Sequence, residues 1–336
     1  MRYAARRLLC TALRPGSARE ELSQRLVSAR RGVTPIVNEL VRVLSHDMDD
    51  ASAPPVGSDD FITMLAALRR SGEGRRAVTL HDQMIALGIT PTLETYTTAI
   101  SACRGDGMWK TAVQLLDESI DYAHFDSDTK LYNAVIFSFA SGAHSSAVAK
   151  DKAVALVKRM EHKSRGTVPE PDVASYTAAM RACINAGAPL DALELYERSR
   201  RAESAQIDDR ALATVFDACA DAGRWSDALG YLDELDAPCA TAFEGALQAC
   251  AKCNRWKECV ALLTRMAEAG VELIATHSNA VLAACARRGR AEEALGVLSL
   301  LESQHPALVD GDAVLSVMRA VARDRRAGTP EERLAP

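Results

Sequence analysis

The stretch TLETYTTAISACRGDGMWKTAVQLLDESI, residues 92–120, contains the pattern that decides the fold, and VASYTAAMRACINAGAPLDALELYERS, residues 173–199, repeats it. In both stretches a tyrosine comes seven residues before a cysteine, a glycine comes four residues after it and an alanine nine residues after it. The wider pattern occurs in seven copies that begin 31 to 44 residues apart. A recurring period of this length is typical of arrays of helical hairpins.

The copies share one frame, in which slot 1 is the first residue, slot 4 holds the aromatic or apolar residue and slot 11 holds the cysteine. They begin at Ser58, Leu93, Thr129, Val173, Asp209, Ala240 and Ala275, with a half copy from Asp310. Each copy predicts a first helix over about slots 2 to 13, ending at Gly or Asn, which tolerate left-handed C-cap geometry. Apolar spacing predicts a second helix over about slots 17 to 29. Because one hairpin cannot bury both faces, neighbours stack, and we expect an all-α solenoid over residues 58–324.

Composition and charge limit the classes of function. The chain is 48% hydrophobic and 25% charged, with net charge -5, and it has no apolar run near the roughly 20 residues that cross a bilayer. Residues 1–33 carry +6 and residues 34–336 carry -11. An acidic body argues mildly against tight, nonspecific nucleic-acid binding, although a local basic groove remains compatible with it.

The segments outside the array differ from it in composition. The N-terminal MRYAARRLLCTALRPGSARE has five arginines and no acid before Glu20, which is typical of an organelle transit peptide, and we expect one over residues 1–33. A mitochondrial address is favoured over a plastid one because serine is sparse there. A basic terminus without an address is the alternative. Residues 34–57 are expected to form a divergent helix and linker, and residues 325–336 a disordered tail.

Chemistry-bearing residues are few. Five of the nine cysteines occupy slot 11, where a small apolar residue is wanted, so they are expected to pack in the core. Cys250 and Cys253 resemble half a zinc site, but no second pair accompanies them. We find no catalytic set, phosphate-binding loop or cofactor motif, and predict neither cofactor nor enzymatic activity.

The chain resembles the pentatricopeptide repeat family. The resemblance is carried by the period near 35, by Tyr-Thr or Tyr-Asn in slots 4 and 5, and by Gly at slot 15, Ala at slot 20 and Met at slot 27. Tetratricopeptide repeats, the nearest competitor, would have Gly at slot 8, where this chain has large apolar residues. The resemblance covers about residues 58–324 and implies a right-handed superhelix.

Family members bind single-stranded RNA with one base per repeat, read by slot 5 and by the last residue of the repeat. The resemblance therefore implies base contacts for three consecutive pairs and favours a purine, then uracil, then a purine. The pairs are Thr97 with Asp128, Asn133 with Asp172, and Thr177 with Asp208. The remaining pairs depart from the family pattern, including Ile62 with Thr92, Ala213 with Cys239, Glu244 with Ile274 and Asn279 with Val309. Thr, Asn and Asp at these places are also ordinary helix caps.

Basic residues near the end of the first helix are candidates for phosphate contacts. Among them are Arg70, Lys252 and Arg287, although a basic residue also suits a helix C-terminus through the helix dipole. The three tryptophans all fall at slot 17, where we expect them to wedge between repeats rather than stack on bases.

Two functions are compatible with the sequence. The first is an organellar single-stranded RNA-binding protein that supports transcript processing, stability or translation, with possible ribosomal or RNA-processing partners. The second is a protein-binding scaffold in a mitochondrial ribosome or another organellar assembly. The acidic body and the pairs that depart from the family pattern favour the protein-binding scaffold. The three consecutive pairs that follow the family pattern favour the RNA-binding protein.

Overall fold

The computed structural model describes residues 15–29, 32–49, 55–123, 128–141, 147–162, 168–202, 208–235, 238–271, 273–304 and 311–326. Within these ranges all regular secondary structure is α-helical. The seventeen described helices are α1 (Pro15–Ser28), α2 (Val33–Asp49), α3 (Ser58–Ser71), α4 (Gly74–Ala86), α5 (Leu93–Cys103), α6 (Trp109–Ala123), α7 (Thr129–Ala140), α8 (Ala147–Glu161), α9 (Val173–Asn185), α10 (Pro189–Arg201), α11 (Asp209–Ala222), α12 (Trp225–Asp233), α13 (Ala240–Lys252), α14 (Trp256–Glu268), α15 (Ala275–Arg288), α16 (Ala291–Gln304) and α17 (Gly311–Arg326).

The helix boundaries follow the repeat frame. The seven first helices begin at the residues that the frame assigns to slot 1, and α17 begins one residue after Asp310. Polar caps fix several of these starts, since Thr92, Asp128, Asp172 and Asp208 each accept a backbone N–H of the first turn. Such a cap satisfies donors that a helix start otherwise leaves unpaired. The predicted all-α fold of stacked helical hairpins is therefore confirmed.

The chain divides into two compact units, residues 1–186 and 187–336, and the division lies in the inner turn of the fourth repeat. In the first unit the first helices α3, α5, α7 and α9 pack side by side, and each of α4, α6 and α8 packs against the first helix of its own repeat and of the next one. In the second unit α11, α13, α15 and α17 form the corresponding layer. Large aromatic side chains are buried in the core of each unit, with Phe61 and Tyr132 in the first and Phe216 in the second.

The cysteines of slot 11 are core residues, as predicted. Cys103, Cys183, Cys219, Cys250 and Cys285 are all fully buried. Burial raises the pKa of Cys103 to about 11 and that of Cys219 to about 12, because an apolar environment disfavours the thiolate. These thiols therefore act as small apolar packing groups. Among the described residues, no group of three or more His, Cys, Asp or Glu side chains is arranged to hold a metal ion.

Two helices precede the first predicted repeat and pack against it. Leu22 and Leu26 of α1 are buried, and α1 contacts both α2 and α3. Arg19 forms an ion pair with Asp60 of α3 and donates to Pro55 O at 3.3 Å. The segment predicted as a transit peptide thus contains a helix that covers the end of the array, and the boundary expected at residue 33 falls inside a helical hairpin. Residues 1–14 lie outside the described ranges, as do 327–336 of the predicted tail, and the targeting role stays a prediction.

Close inter-helix contacts occur in both units. In the second unit, a Cβ built on Gly245 of α13 would lie 2.4 Å from Phe216 Cβ of α11, so only glycine permits this approach. In the first unit, the His81 ring of α4 lies 4.6 Å from the Tyr96 ring of α5, measured between centroids. Burial lowers the pKa of His81, because the charged imidazole loses its hydration there. No described helix is long and apolar enough to cross a membrane.

Candidate nucleic-acid interface

Asn133, at slot 5 of the third repeat, lies at the centre of a polar network that joins two repeats. Its Nδ2 donates to Asp172 Oδ1 at 3.0 Å and Oδ2 at 3.1 Å. Its Oδ1 accepts from Ser175 Oγ at 2.5 Å. Asp172 is the N-cap of α9, where it also accepts Ser175 N at 2.8 Å. The structure thus brings together the predicted pair Asn133 and Asp172, and it adds Ser175, which sequence reasoning did not single out.

This network fixes which way the Asn133 amide points. A carboxylate only accepts hydrogen bonds, so the nitrogen and not the oxygen of the amide must face Asp172. Both carboxylate oxygens of Asp172 lie within hydrogen-bond distance of Nδ2, and Asn133 is buried, with 9% of its area exposed. The network therefore holds the N–H side of the amide in one place at slot 5, and an N–H donor matches a carbonyl oxygen such as those of uracil.

The two threonines of the predicted pairs are arranged differently. Thr97 Oγ1 donates to Leu93 O, and Thr177 Oγ1 donates to Val173 O, both at 2.7 Å. With the hydroxyl hydrogen used inside the helix, each oxygen is left as an acceptor, which suits the amino group of a purine. Asp128 accepts Lys130 N and Leu131 N of its own helix, and Asp208 accepts Ala211 N. These two aspartates act as helix caps; Thr177 belongs to the first unit and Asp208 to the second.

A second cross-repeat contact occurs in the second unit. Glu244, at slot 5 of the sixth repeat, accepts from His277 Nε2 with 3.0 Å between the heavy atoms. His277 is at slot 3 of the seventh repeat and is nearly fully buried. Sequence reasoning assigned no role to His277, because a lone histidine carries no spacing signal.

The basic residues near slot 13 reach back to the helical hairpin that precedes their own. Arg70 donates to Val27 O at 3.0 Å, Lys252 pairs with Asp221 at 2.9 Å, and Arg287 bonds both Ala251 O and Asn254. Asn185 and Arg323 make equivalent contacts to Ala140 O and Ala286 O. Most of these acceptors are carbonyls at helix C-termini, which have no partner within their own helix. Arg70, Lys252 and Arg287 are therefore engaged between neighbouring helices, and their phosphate role stays a prediction.

The tryptophans contact the following repeat, as predicted. The Arg255 guanidinium lies 4.0 Å from the Trp225 ring centroid, and Arg290 lies 5.8 Å from that of Trp256. In the first unit the Trp109 ring lies 5.7 Å from Phe139. These contacts explain the position of tryptophan at the start of the second helix.

An open, basic cleft of about 560 Å³ lies at the inner turns of the sixth and seventh repeats. It is lined by Asn254, Arg255, Trp256, Lys257, Glu258, Arg288 and Arg290. Four cations and one carboxylate give this part of an acidic chain a local positive charge. Positive and negative side chains are therefore unevenly distributed over the surface, which the net charge of the chain does not reveal.

Comparisons with known proteins bear on the family and the fold. The family model described as PPR repeat matches residues 61–89, 94–122, 174–203, 246–271 and 277–304. A pentatricopeptide repeat-containing protein of Arabidopsis thaliana is 21% identical over 178 residues, which are 53% of this chain and 24% of that protein. The crystal structure of the pentatricopeptide repeat protein PPR10 in complex with an 18-nt psaJ RNA element matches 94% of this chain and 46% of that chain, with 19% identity and a TM-score of 0.62. PPR10 from maize, in a further crystal structure, matches 93% and 47% with 19% identity and a TM-score of 0.52.

Helical hairpins that recur in one frame and stack on their neighbours define a helical-repeat protein. The five matched repeats place the chain in the pentatricopeptide repeat family. At this level of identity the solved structures establish the fold. The chain spans less than half the length of these relatives, about a quarter of the curated one and just under half of the solved ones.

Proposed function

We propose that the protein binds single-stranded RNA through slot 5 of its repeats and thereby supports processing, stability or translation of an organellar transcript, with a mitochondrial location favoured. The observation that carries this proposal is the side-chain amide of Asn133, oriented by Asp172 and Ser175 at a slot that family members use for base contact. The fold likeness to PPR10, whose crystal structure contains an RNA element, supports it.

The proposal assigns different tasks to different residues. Asn133 donates to a base carbonyl, Thr97 and Thr177 accept from base amino groups, and Asp172 orients Asn133. Asp128 and Asp208 cap the helices that carry the next slots. Cations at the inner turns, including Lys252 and Arg287, attract the phosphates. RNA is the ligand and no cofactor or catalytic step is part of the proposal.

A pool of randomised short RNAs, passed over the full chain at two salt concentrations, tests the proposal. We expect retention at low salt, with enrichment of a purine beside a uracil, and a steep loss as salt rises, because phosphate contacts release counterions. The double variant Asn133→Ala, Asp172→Ala removes the uracil preference. Its matched control changes Gln114 and Asp117, an exposed amide and carboxylate on α6, to alanine and keeps the preference. Absence of retained RNA at low salt contradicts the proposal.

A protein-binding scaffold is the second candidate, and a specific observation favours it. Three large apolar side chains of the last described helix, α17, are exposed: Val314, Leu315 and Met318, the last at 61%. Contact with an apolar protein surface would respond little to salt, because such an interface does not depend on screened charges. Salt-insensitive binding of a protein, together with no RNA retention, supports this candidate over the first.

A further inference from the structure

The contact between Glu244 and His277 has the same place in the repeat frame as the contact between Asn133 and Ser175. In each case the slot 5 residue of one repeat is held by the slot 3 residue of the next, at 3.0 Å and 2.5 Å respectively. At three other joints slot 3 is apolar, with Leu131 after Thr97, Ala211 after Thr177 and Ala242 after Ala213. After Ile62 it is Thr95, whose hydroxyl donates to Thr92 O of its own repeat boundary. The sixth repeat therefore has a supported polar side chain at slot 5, although its pair with Ile274 departs from the family pattern.

The hydrogen bonds of His277 define its state. Its Nδ1 accepts the backbone N–H of Ile274 at 3.3 Å, so in the neutral ring the proton is on Nε2. That N–H faces Glu244 Oε1, and the His277 side chain is only 5% exposed. The buried imidazole thus holds the carboxylate in one orientation through its Nε2–H.

The Glu244 carboxylate is available to a ligand, because 41% of the side chain remains exposed. Oε2 is free of the histidine bond, and Oε1 retains a lone pair. A carboxylate accepts and never donates when ionised. It therefore discriminates between bases by the number of adjacent donors that they present.

Guanine alone among the four bases has two adjacent N–H donors on its Watson–Crick edge, at N1 and at the N2 amino group. The edge of uracil has one N–H between two carbonyl oxygens, which the carboxylate repels. Adenine and cytosine each place an acceptor nitrogen beside the amino group. A carboxylate held at slot 5 therefore selects guanine, with two charge-assisted hydrogen bonds.

We propose that Glu244 is a guanine-selecting residue of the sixth repeat and that His277 is its positioning residue. The inference rests on the RNA binding proposed above. It gives a reading role to a repeat whose slot 5 and last residue do not follow the family pattern.

The experiment compares the full chain and its Glu244→Gln variant on the randomised RNA pool. With the unchanged chain, one position of the RNA is expected to prefer guanine. With Glu244→Gln that preference is expected to fall roughly tenfold, because the bidentate contact that discriminates between bases is lost. The matched control is Glu268→Gln, an exposed carboxylate on the second helix of the same repeat, which leaves the preference unchanged. His277→Ala is expected to weaken the preference at that position alone, whereas general loss of structure would lower binding at every position.

Inosine provides an independent readout, because it lacks the N2 amino group of guanine. Replacing the selected guanine by inosine is expected to weaken binding to the unchanged chain roughly tenfold and to leave binding to Glu244→Gln nearly unchanged. Retained RNA with no position that responds to Glu244→Gln overturns this inference and leaves the proposed function intact. No retained RNA with the unchanged chain overturns the proposed function and, with it, this inference.

Discussion

Replacing Asp172 by alanine removes two kinds of contact at once. The carboxylate caps α9 through Ser175 N at 2.8 Å, and it accepts the Asn133 amide of the preceding repeat at 3.0 Å and 3.1 Å. Loss of an N-cap costs about 1 kcal/mol. Loss of a hydrogen bond to a charged group costs about 1.5–3 kcal/mol. We therefore expect the variant to destabilise this joint by about 3 kcal/mol.

Asp128→Ala is the matched control, because Asp128 caps α7 through Lys130 N and Leu131 N of its own helix. Its expected cost is about 1 kcal/mol. The difference between the two variants, about 2 kcal/mol, measures the cross-repeat bond to Asn133.

Amide hydrogen exchange followed by mass spectrometry is the suitable assay, because repeat arrays open locally and exchange reports the local free energy. A difference of about 2 kcal/mol corresponds to roughly 30-fold faster exchange in the first turns of the affected helix. The acceleration of exchange in α9 caused by Asp172→Ala should therefore be roughly 30-fold larger than the acceleration in α7 caused by Asp128→Ala. Equal acceleration in the two variants would show that the Asn133 bond adds nothing and would refute the reasoning.

Further variants test other parts of the structure. Leu26→Ala opens a cavity beneath the N-terminal hairpin and should lower the unfolding free energy by about 2–5 kcal/mol, measured by urea denaturation; an unchanged midpoint would show that α1 does not belong to the array. His81 has a lowered pKa in the folded state, so the unfolded chain binds its proton more readily, and stability is lost as pH falls through about 6.5. His81→Leu should remove that part of the acid dependence, measured by unfolding at pH 7 and pH 5, and an identical dependence in the variant contradicts the assignment. Lys252→Ala should reduce the salt slope of RNA binding by about 1, whereas an unchanged slope would limit Lys252 to its bond with Asp221.

The sequence predicted the fold well because repetition supplies many independent observations of one pattern. Helix starts at Leu93, Thr129 and Val173 follow from the slot frame, and the buried cysteines follow from their constant slot. A helix cap and the spacing of apolar residues depend only on nearby sequence. Because each copy repeats that local sequence, each copy predicts the same two helices.

The contacts between repeats were not predictable in the same way. The reach of Arg70 to the end of α1 and the bond of His277 to Glu244 depend on how one hairpin lies on the next, which a slot pattern does not specify. The Arg-rich N-terminus shows a related limit. Alternating arginine and leucine is typical of a targeting helix, and it also suits a helix that packs on the array, as Leu26 and Arg19 do here.

The contact between Gly245 and Phe216 limits how far the repeats behave as interchangeable modules. Engineering of repeat proteins treats each hairpin as a unit that can be moved, duplicated or replaced. Here the sixth repeat carries a glycine that is needed only because the fifth repeat places a phenylalanine against it. A chimaera that receives the sixth repeat without Phe216 gains a void, and one that places a side chain at position 245 forces α11 and α13 apart. In an engineered chain the fifth and sixth repeats should therefore be moved together as one unit.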